Sequence, residues 1–401
     1  MIKTKEENNR REFLKKCGLS TVPFLVPTVG LDAMTLSSGE IDRPDKTEAI
    51  VNFVYDGLNL SPRQYIDKLR DIDLANKLEP DFYGNGGSTK QLEDEFARLT
   101  GKEKAIYMPT GTMANQLAIK LLNGQNTKVV VPENSHVFRD EADAAQSVHG
   151  KRLVPVGYDK PYYELEDLES SINYLKQNEV FRSGLGTVVI ENPIRRAKGT
   201  VVPIETIKEI SAYCKKNGIK THLDGARIHL AMAYTGISLM EYASYFDTVY
   251  ISLYKYLNTA GGAILCGEAA IIDQLAHQIK ILGGTVFQSW TNTSMALHFL
   301  DGIELRLKQM VNTASKLVTE LNKIEGLKIS ALKNGTNIYD LSLTSHINSK
   351  ELSTILYKEH DILIRSSDNA HVRFAVNESL LSRDFQKIVD AWRTAVKTIH
   401  K

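Results

Sequence analysis

Between Asp81 and Leu265 the chain alternates short, almost continuously apolar runs with longer stretches of helical periodicity, and this rhythm constrains the fold most. The runs are Lys104–Met108, Lys128–Val131, Leu153–Val156, Thr187–Glu191, Lys220–Leu223, Val249–Leu253 and Ala263–Leu265. Few of them alternate polar with apolar residues, so they read as strands covered on both faces. Such strands separated by helices predict an α/β fold with a mostly parallel sheet. Leu92, Phe96 and Leu99 share one helix face behind a cap at Ser88 or Thr89, and Pro109-Thr110-Gly111-Thr112 opens a second helix through Leu121. Past Trp290 the texture changes. A long helix bearing Leu317, Leu321 and Ile324, short strands around Lys328, Tyr339, Leu363 and Arg373, and a closing helix with Phe385, Ile388, Trp392 and Ile399 predict a smaller α+β domain. The expected boundaries are an N-terminal arm over 49–80, a large domain over 81–289 and a small C-terminal domain over 290–401.

The first residues are a different kind of sequence. Arg10-Arg11-Glu12-Phe13-Leu14-Lys15-Lys16 precedes an uncharged stretch from Cys17 to Leu31, which resembles a twin-arginine export signal over 1–34; a polar linker over 35–48 follows. The alternative is an N-terminal docking arm. Export to the periplasm is the expected destination, with cytoplasmic residence otherwise. A net charge of +1 with no basic block in the body of the chain argues against nucleic acid or an acidic membrane as the main partner. No uncharged apolar run reaches the roughly 20 residues that span a bilayer. Cys17, Cys214 and Cys266 offer neither a disulfide framework nor metal-ligand spacing, and no metal is expected.

Two charged residues close apolar runs. Asp224 ends the His222-Leu223 run, and Lys255 follows Val249–Leu253 just before a Gly-rich turn at Gly261-Gly262. Both positions fall at the carboxyl edge of a parallel sheet, where open α/β folds bind ligands. A carboxylate there is costly to bury without a cationic partner, and a protonated pyridinium is such a partner. The pair points to pyridoxal phosphate (PLP), with Lys255 as Schiff-base partner and Asp224 keeping the pyridine nitrogen protonated. Gly111 and Thr112 at a helix start can offer backbone N–H groups and a hydroxyl to a phosphate. Ser252 is a second candidate phosphate ligand, or an ordinary strand serine.

Taken in order, Tyr83-Gly84, Pro109-Thr110-Gly111-Thr112-Met113-Ala114-Asn115, His136, Glu191-Asn192, His222-Leu223-Asp224-Gly225-Ala226-Arg227 and the Lys255 turn resemble the threonine aldolase group of fold-type I PLP enzymes, close to the β-eliminating lyases. The resemblance covers roughly Asp81 to Arg373. It implies that Asp224 pairs with the pyridine nitrogen, that Lys255 carries the cofactor and that His136 stacks on its ring. It also implies that Arg227 and Arg373 hold a substrate carboxylate, a task suited to the bidentate guanidinium fork. The chain departs from the family in three places. Val54-Tyr55-Asp56-Gly57 stands for an Arg-Ser-Asp-Thr stretch, Pro193-Ile194-Arg195-Arg196 replaces a segment with a substrate-directed histidine, and Phe287-Gln288-Ser289 lacks an arginine that serves a partner subunit's phosphate. Arg195 or Arg196 could compensate for that last loss.

The implied reaction is retro-aldol cleavage of a β-hydroxy-α-amino acid to glycine and an aldehyde, with His136 taking the hydroxyl proton directly or through a water. The alternatives are β-elimination, racemisation or transamination of an amino acid, or an exported PLP-fold protein kept for binding. The family builds its sites across a dimer interface, so a homodimer or homotetramer is expected.

Overall fold

The computed structural model describes residues 50–367 and 371–399; the leader read over 1–34 and the linker over 35–48 lie outside the described residues. Twelve strands occur among the described residues: β1 (Val51–Asn52), β2 (Lys104–Met108), β3 (Lys128–Pro132), β4 (Arg152–Val156), β5 (Leu185–Glu191), β6 (Lys220–Asp224), β7 (Thr248–Ser252), β8 (Ala263–Gly267), β9 (Leu327–Ala331), β10 (Ile338–Leu343), β11 (Ile362–Leu363) and β12 (His371–Ala375). Seven of them form one sheet in the order β2-β8-β7-β6-β5-β3-β4. Every pairing in it is parallel except those of β8, which runs antiparallel to β2 and β7. The apolar runs behave as expected of strands with both faces covered: Val129, Val130, Val131, Val249 and Ile251 are all fully buried.

Helix Gly111–Asn123 lies between β2 and β3. Its N-cap is Thr110, whose Oγ1 accepts the Met113 N–H at 3.2 Å, and its buried face is Ala114, Leu117, Ala118, Ile119 and Leu122. Helix Gly87–Thr100 corrects the expected cap. Gly86, at φ 77°, occupies the N-cap, while Ser88 and Thr89 are buried in the first turn. Their hydroxyls face inward, Ser88 Oγ accepting from Ser294 at 2.7 Å and Thr89 bonding Thr293 at 3.1 Å, so two hydroxyls that would cap in water instead join this helix to helix Trp290–Leu300. The long helix expected past Trp290 is two helices, Trp290–Leu300 and Ile303–Leu321, broken where Gly302 takes a left-handed φ of 68°. Ile324 is buried in the turn that follows, beyond the second helix.

The C-terminal part holds the antiparallel sheet β12-β10-β9, backed by helix Phe385–Ile399. Trp392 of that helix is fully buried and meets the rings of Phe53 and Phe374 at 6.2 and 5.8 Å, while Phe53 stacks on Phe374 at 4.3 Å. Phe53 therefore belongs to this core although it lies some 320 residues upstream. It is placed there by β1, which pairs in parallel with β11, Val51 opposite Ile362 and Asn52 opposite Leu363. Asn377 reinforces the junction, its Nδ2 donating to Asn52 Oδ1 at 2.7 Å and to the Tyr55 carbonyl at 2.8 Å. Cys214 and Cys266 are free and buried, and burial pushes both thiols up to about 12.

Candidate active site

Three strand ends meet at one edge of the seven-stranded sheet. β5 ends on Glu191, β6 on Asp224 and β7 on Ser252, with Glu191 opposite Asp224 and Asp224 opposite Tyr250 in register. Beyond them opens a cavity of about 380 Å³, whose wall includes Gly111, Thr112, His136, Asp224, Arg227 and Lys255. Six of the eight residues expected from sequence thus share one wall; Ser252 and Arg373 do not line it.

Lys255 is 5% exposed, and its amine is pushed down to about 7 by burial and by the Arg227 charge, against the pull of Asp56, Asp224 and Glu191. Asp224 is 1% exposed. Its Oδ1 accepts the Ala226 N–H at 3.2 Å and its Oδ2 accepts Asn115 Nδ2 at 3.0 Å. The same Asn115 Nδ2 donates to Glu141 Oε1 at 2.8 Å, and two carboxylate acceptors fix which end of the amide is which. Asn115 Oδ1 must then accept, at 3.0 Å, a proton on His222 Nε2, while His222 Nδ1 takes the Thr248 hydroxyl at 2.8 Å. Burial holds the His222 ring neutral, pushing it down to about 4. A chain of defined polarity therefore runs from Thr248 to the two carboxylates.

His136 stands across from this chain, its Nδ1 3.0 Å from Glu141 Oε1. Burial works against a charge on the ring, but the Glu141 hydrogen bond and the nearby Asp224 and Glu141 charges outweigh it and raise the imidazole above its ordinary value. Glu191 holds the backbone on both sides: Oε2 accepts the His136 N–H at 2.7 Å and Oε1 the Arg195 N–H at 2.9 Å. Burial and the Asp224 charge raise its carboxyl to about 7.

Arg227 does not present an open fork. Its Nε and Nη2 bind Asp56 Oδ1 and Oδ2 at 3.0 and 2.8 Å, and this ion pair holds the Asp56 carboxyl well below the usual range despite its burial. Asp56 reaches the site through Gly57, where a Cβ would lie 2.1 Å from the Lys255 carbonyl oxygen, so only glycine allows the segment to pass. Arg373 is half-buried on β12, lowered to about 10 by burial and by Arg195. Arg196 is spent on Asp140, with Nε 2.9 Å from Oδ2. Asn115, Glu141 and Asp56 are the members of the site that strand ends alone did not single out, since each acts through a partner that the fold brings beside it.

The residues present fit PLP. The wall combines a buried amine with a buried carboxylate one strand away. At the helix start a Cβ on residue 111 would lie 2.0 Å from the Tyr250 hydroxyl oxygen, so glycine lets Tyr250 pack directly under the helix and hold its N-terminus at the cavity. There the Gly111 and Thr112 N–H groups have no intrahelical partner and the helix dipole favours an anion. The Ser252 hydroxyl is buried at the end of β7, behind the cavity wall and beside Tyr250, with no well-formed hydrogen bond among the described residues.

Residues 66–343, more than half of the chain, match the family model described as beta-eliminating lyase. The chain belongs to that family. As a beta-eliminating lyase it is a PLP-dependent enzyme of fold type I, with the mostly parallel sheet and added small sheet described above. It is 30% identical over 251 residues to a low-specificity L-threonine aldolase of Candida albicans, covering 62% of this chain and 66% of that protein. With low-specificity L-threonine aldolase 1 of Arabidopsis thaliana it shares 23% identity over 84% of this chain and 94% of the relative. Among solved structures, a threonine aldolase of Leishmania major superposes with a TM-score of 0.65 at 18% identity, over 87% of this chain and 99% of that one. Among the described residues no helix is long and apolar enough to cross a membrane.

Proposed function

We propose that this lyase cleaves a β-hydroxy-α-amino acid of the threonine type to glycine and an aldehyde. The observation that carries the reading is the joint burial of Lys255 and Asp224 on one cavity wall, faced by a histidine whose Nδ1 is held by Glu141. PLP bound here would be held by Lys255 at its aldehyde carbon, by Asp224 at its pyridine nitrogen, by His136 against its ring and by Gly111, Thr112 and Ser252 at its phosphate. It supplies an electron sink for the pair left when the Cα–Cβ bond breaks.

The chain's own residues do the rest. Arg373, which has no anion of its own, and the remaining Nη1 of Arg227 bind the substrate carboxylate and orient the bond to be cleaved. With Nδ1 donating to Glu141, His136 keeps Nε2 free to take the β-hydroxyl proton when the ring is neutral. A lysine amine poised near 7 can give and take protons at neutral pH, which suits Lys255 to return a proton to the glycine carbon. The wild-type holoenzyme is expected to release glycine and acetaldehyde from L-threonine and L-allo-threonine, and Lys255→Ala to release neither while keeping its far-ultraviolet dichroism. Keto-acid formation or loss of optical activity without aldehyde would replace this reading with elimination, transamination or racemisation.

The same proposal takes residues 81–289 as the cofactor-binding domain and 290–401 as the small domain. It also takes residues 1–34 as a twin-arginine leader and the enzyme as a homo-oligomer. The exposed ring cluster of Phe82, Tyr83 and Phe287, with centroids 5.2 to 5.8 Å apart, supports an association surface, and sedimentation of the purified enzyme measures it.

A further inference from the structure

Arg195 and Arg373 are half-buried guanidinium groups for which the fold provides no anion. Neither side chain makes a hydrogen bond or ion pair among the described residues, whereas Arg227 is committed to Asp56 and Arg196 to Asp140. Their charges act on each other: after burial, Arg195 is the strongest influence on Arg373, where Arg365 also acts, and the Arg195 charge is felt at Asp56, at Asp140 and at Tyr254 of the cavity wall. With Arg227 bound to Asp56 and Arg196 bound to Asp140, Arg195 and Arg373 remain as two positive charges with no bonded carboxylate. An α-carboxylate neutralises one. The other is left facing the same space, and leaving a half-buried charge without a counter-ion is costly.

The backbone says where that second charge lies. One carboxyl group, Glu191, accepts both the His136 and the Arg195 N–H, at 2.7 and 2.9 Å, so Arg195 is tied to the side of the cavity that holds the base for the β-hydroxyl. An anion bound by Arg195 is thus on the β-substituent of the substrate rather than on Cα.

We propose that Arg195 binds a second anionic group, and that the preferred substrate is a β-hydroxy-α-amino dicarboxylic acid of the 3-hydroxyaspartate type; this rests on the aldol reading above. The Cα–Cβ bond breaks, its electron pair stays with Cα, and Cα takes a proton to become glycine. The hydroxyl loses its proton and its oxygen becomes the aldehyde oxygen of glyoxylate. No oxidant or other co-reactant is consumed.

Two measurements test it. In the first, kcat/KM of the holoenzyme is compared for 3-hydroxyaspartate, L-threonine and L-allo-threonine. The dicarboxylate is expected to lead by about ten-fold or more, the scale of one charge-assisted bidentate contact, and Arg195→Gln to abolish that lead through KM, with Arg195→Lys recovering part of it. Equal loss on all three substrates, or no lead in the wild type, overturns the proposal. In the second, calorimetric titration with succinate and with butyrate reads binding without turnover. Succinate is expected to bind about ten-fold tighter than butyrate in the wild type and no tighter in Arg195→Gln. Equal binding of the two acids by the wild type overturns the proposal even if threonine is cleaved. Arg195-dependent succinate binding in an enzyme that cleaves none of the three amino acids keeps the anion site and removes the aldol reading instead.

Discussion

Asp56 and Arg227 make the ion pair on which the rest of the site leans. The Arg227 side chain is 7% exposed, so removing its partner leaves a charge in a nearly dry place. Asp56→Ala is expected to cost about 3–5 kcal/mol of stability, read as a lower urea midpoint with an unchanged slope. It also unbalances Lys255, whose amine Asp56 pulls upward, so the lysine should titrate lower still in the variant. Single residues differed greatly in how far the sequence announced them. Lys255 and Asp224 stand out because a charge at the end of an apolar run has few structural explanations. His136 came through the motif resemblance and its place after β3. Asn115 closes a motif of the resemblance without a role of its own and Glu141 carries no mark, because a polar residue on a helix or in a loop is ordinary until the carboxylate or imidazole it serves is brought beside it. Arg227 was read for its fork, which the folded chain has largely committed to Asp56.

Helix Ile228–Thr235 shows how one element carries a pH response. Its His229 is 4% exposed, both ring nitrogens lack a partner among the described residues, and the ring lies 6.4 Å from that of Phe96. Burial, with Arg306 adding to it, pushes the ring down to about 4. The folded state therefore refuses a proton that the unfolded chain accepts near its ordinary value of about 6.5. Stability from this group is complete above about 6.5 and is lost as pH falls towards 4. Glu93 and Glu191, both raised to about 7, act in the opposite sense, so a single melting curve against pH would mix the two. The difference between His229→Phe and the wild type isolates the histidine. The variant should gain about 2 kcal/mol relative to the wild type on going from pH 8 to pH 5, measured by denaturant titration at each pH. At this scale the interior strands were readable because both faces of each are buried. The cap of helix Gly87–Thr100 was not, because Ser88 and Thr89 answer to Ser294 and Thr293, some 200 residues away.

Over the whole molecule, the two ends of the described chain are joined. Asn377 serves three oxygens of the 52–55 segment, at 2.7 to 3.1 Å, and Asn52 N donates to Ser379 Oγ at 2.8 Å. Asn377→Ala takes the donor from the Tyr55 carbonyl, while Asn52 Oδ1 keeps the Tyr55 N–H at 3.0 Å and the Asn52 carbonyl keeps the Ser379 hydroxyl at 3.3 Å. A loss of about 2 kcal/mol is expected, with a fall in turnover that follows the displacement of Asp56, and denaturant titration beside steady-state kinetics measures both. A two-residue strand such as β1 has too few side chains to declare its pairing, so this closure could not be read from sequence. It also sets a timetable for synthesis. Val51 emerges first, but Ile362, its partner, is made some 310 residues later, roughly 15–60 s at ordinary elongation rates. Until then the ribosome-bound chain can own Lys255 and Asp224 and still lack the strand that carries Asp56 to Arg227, so the reactive centre is among the last parts of the protein to be born.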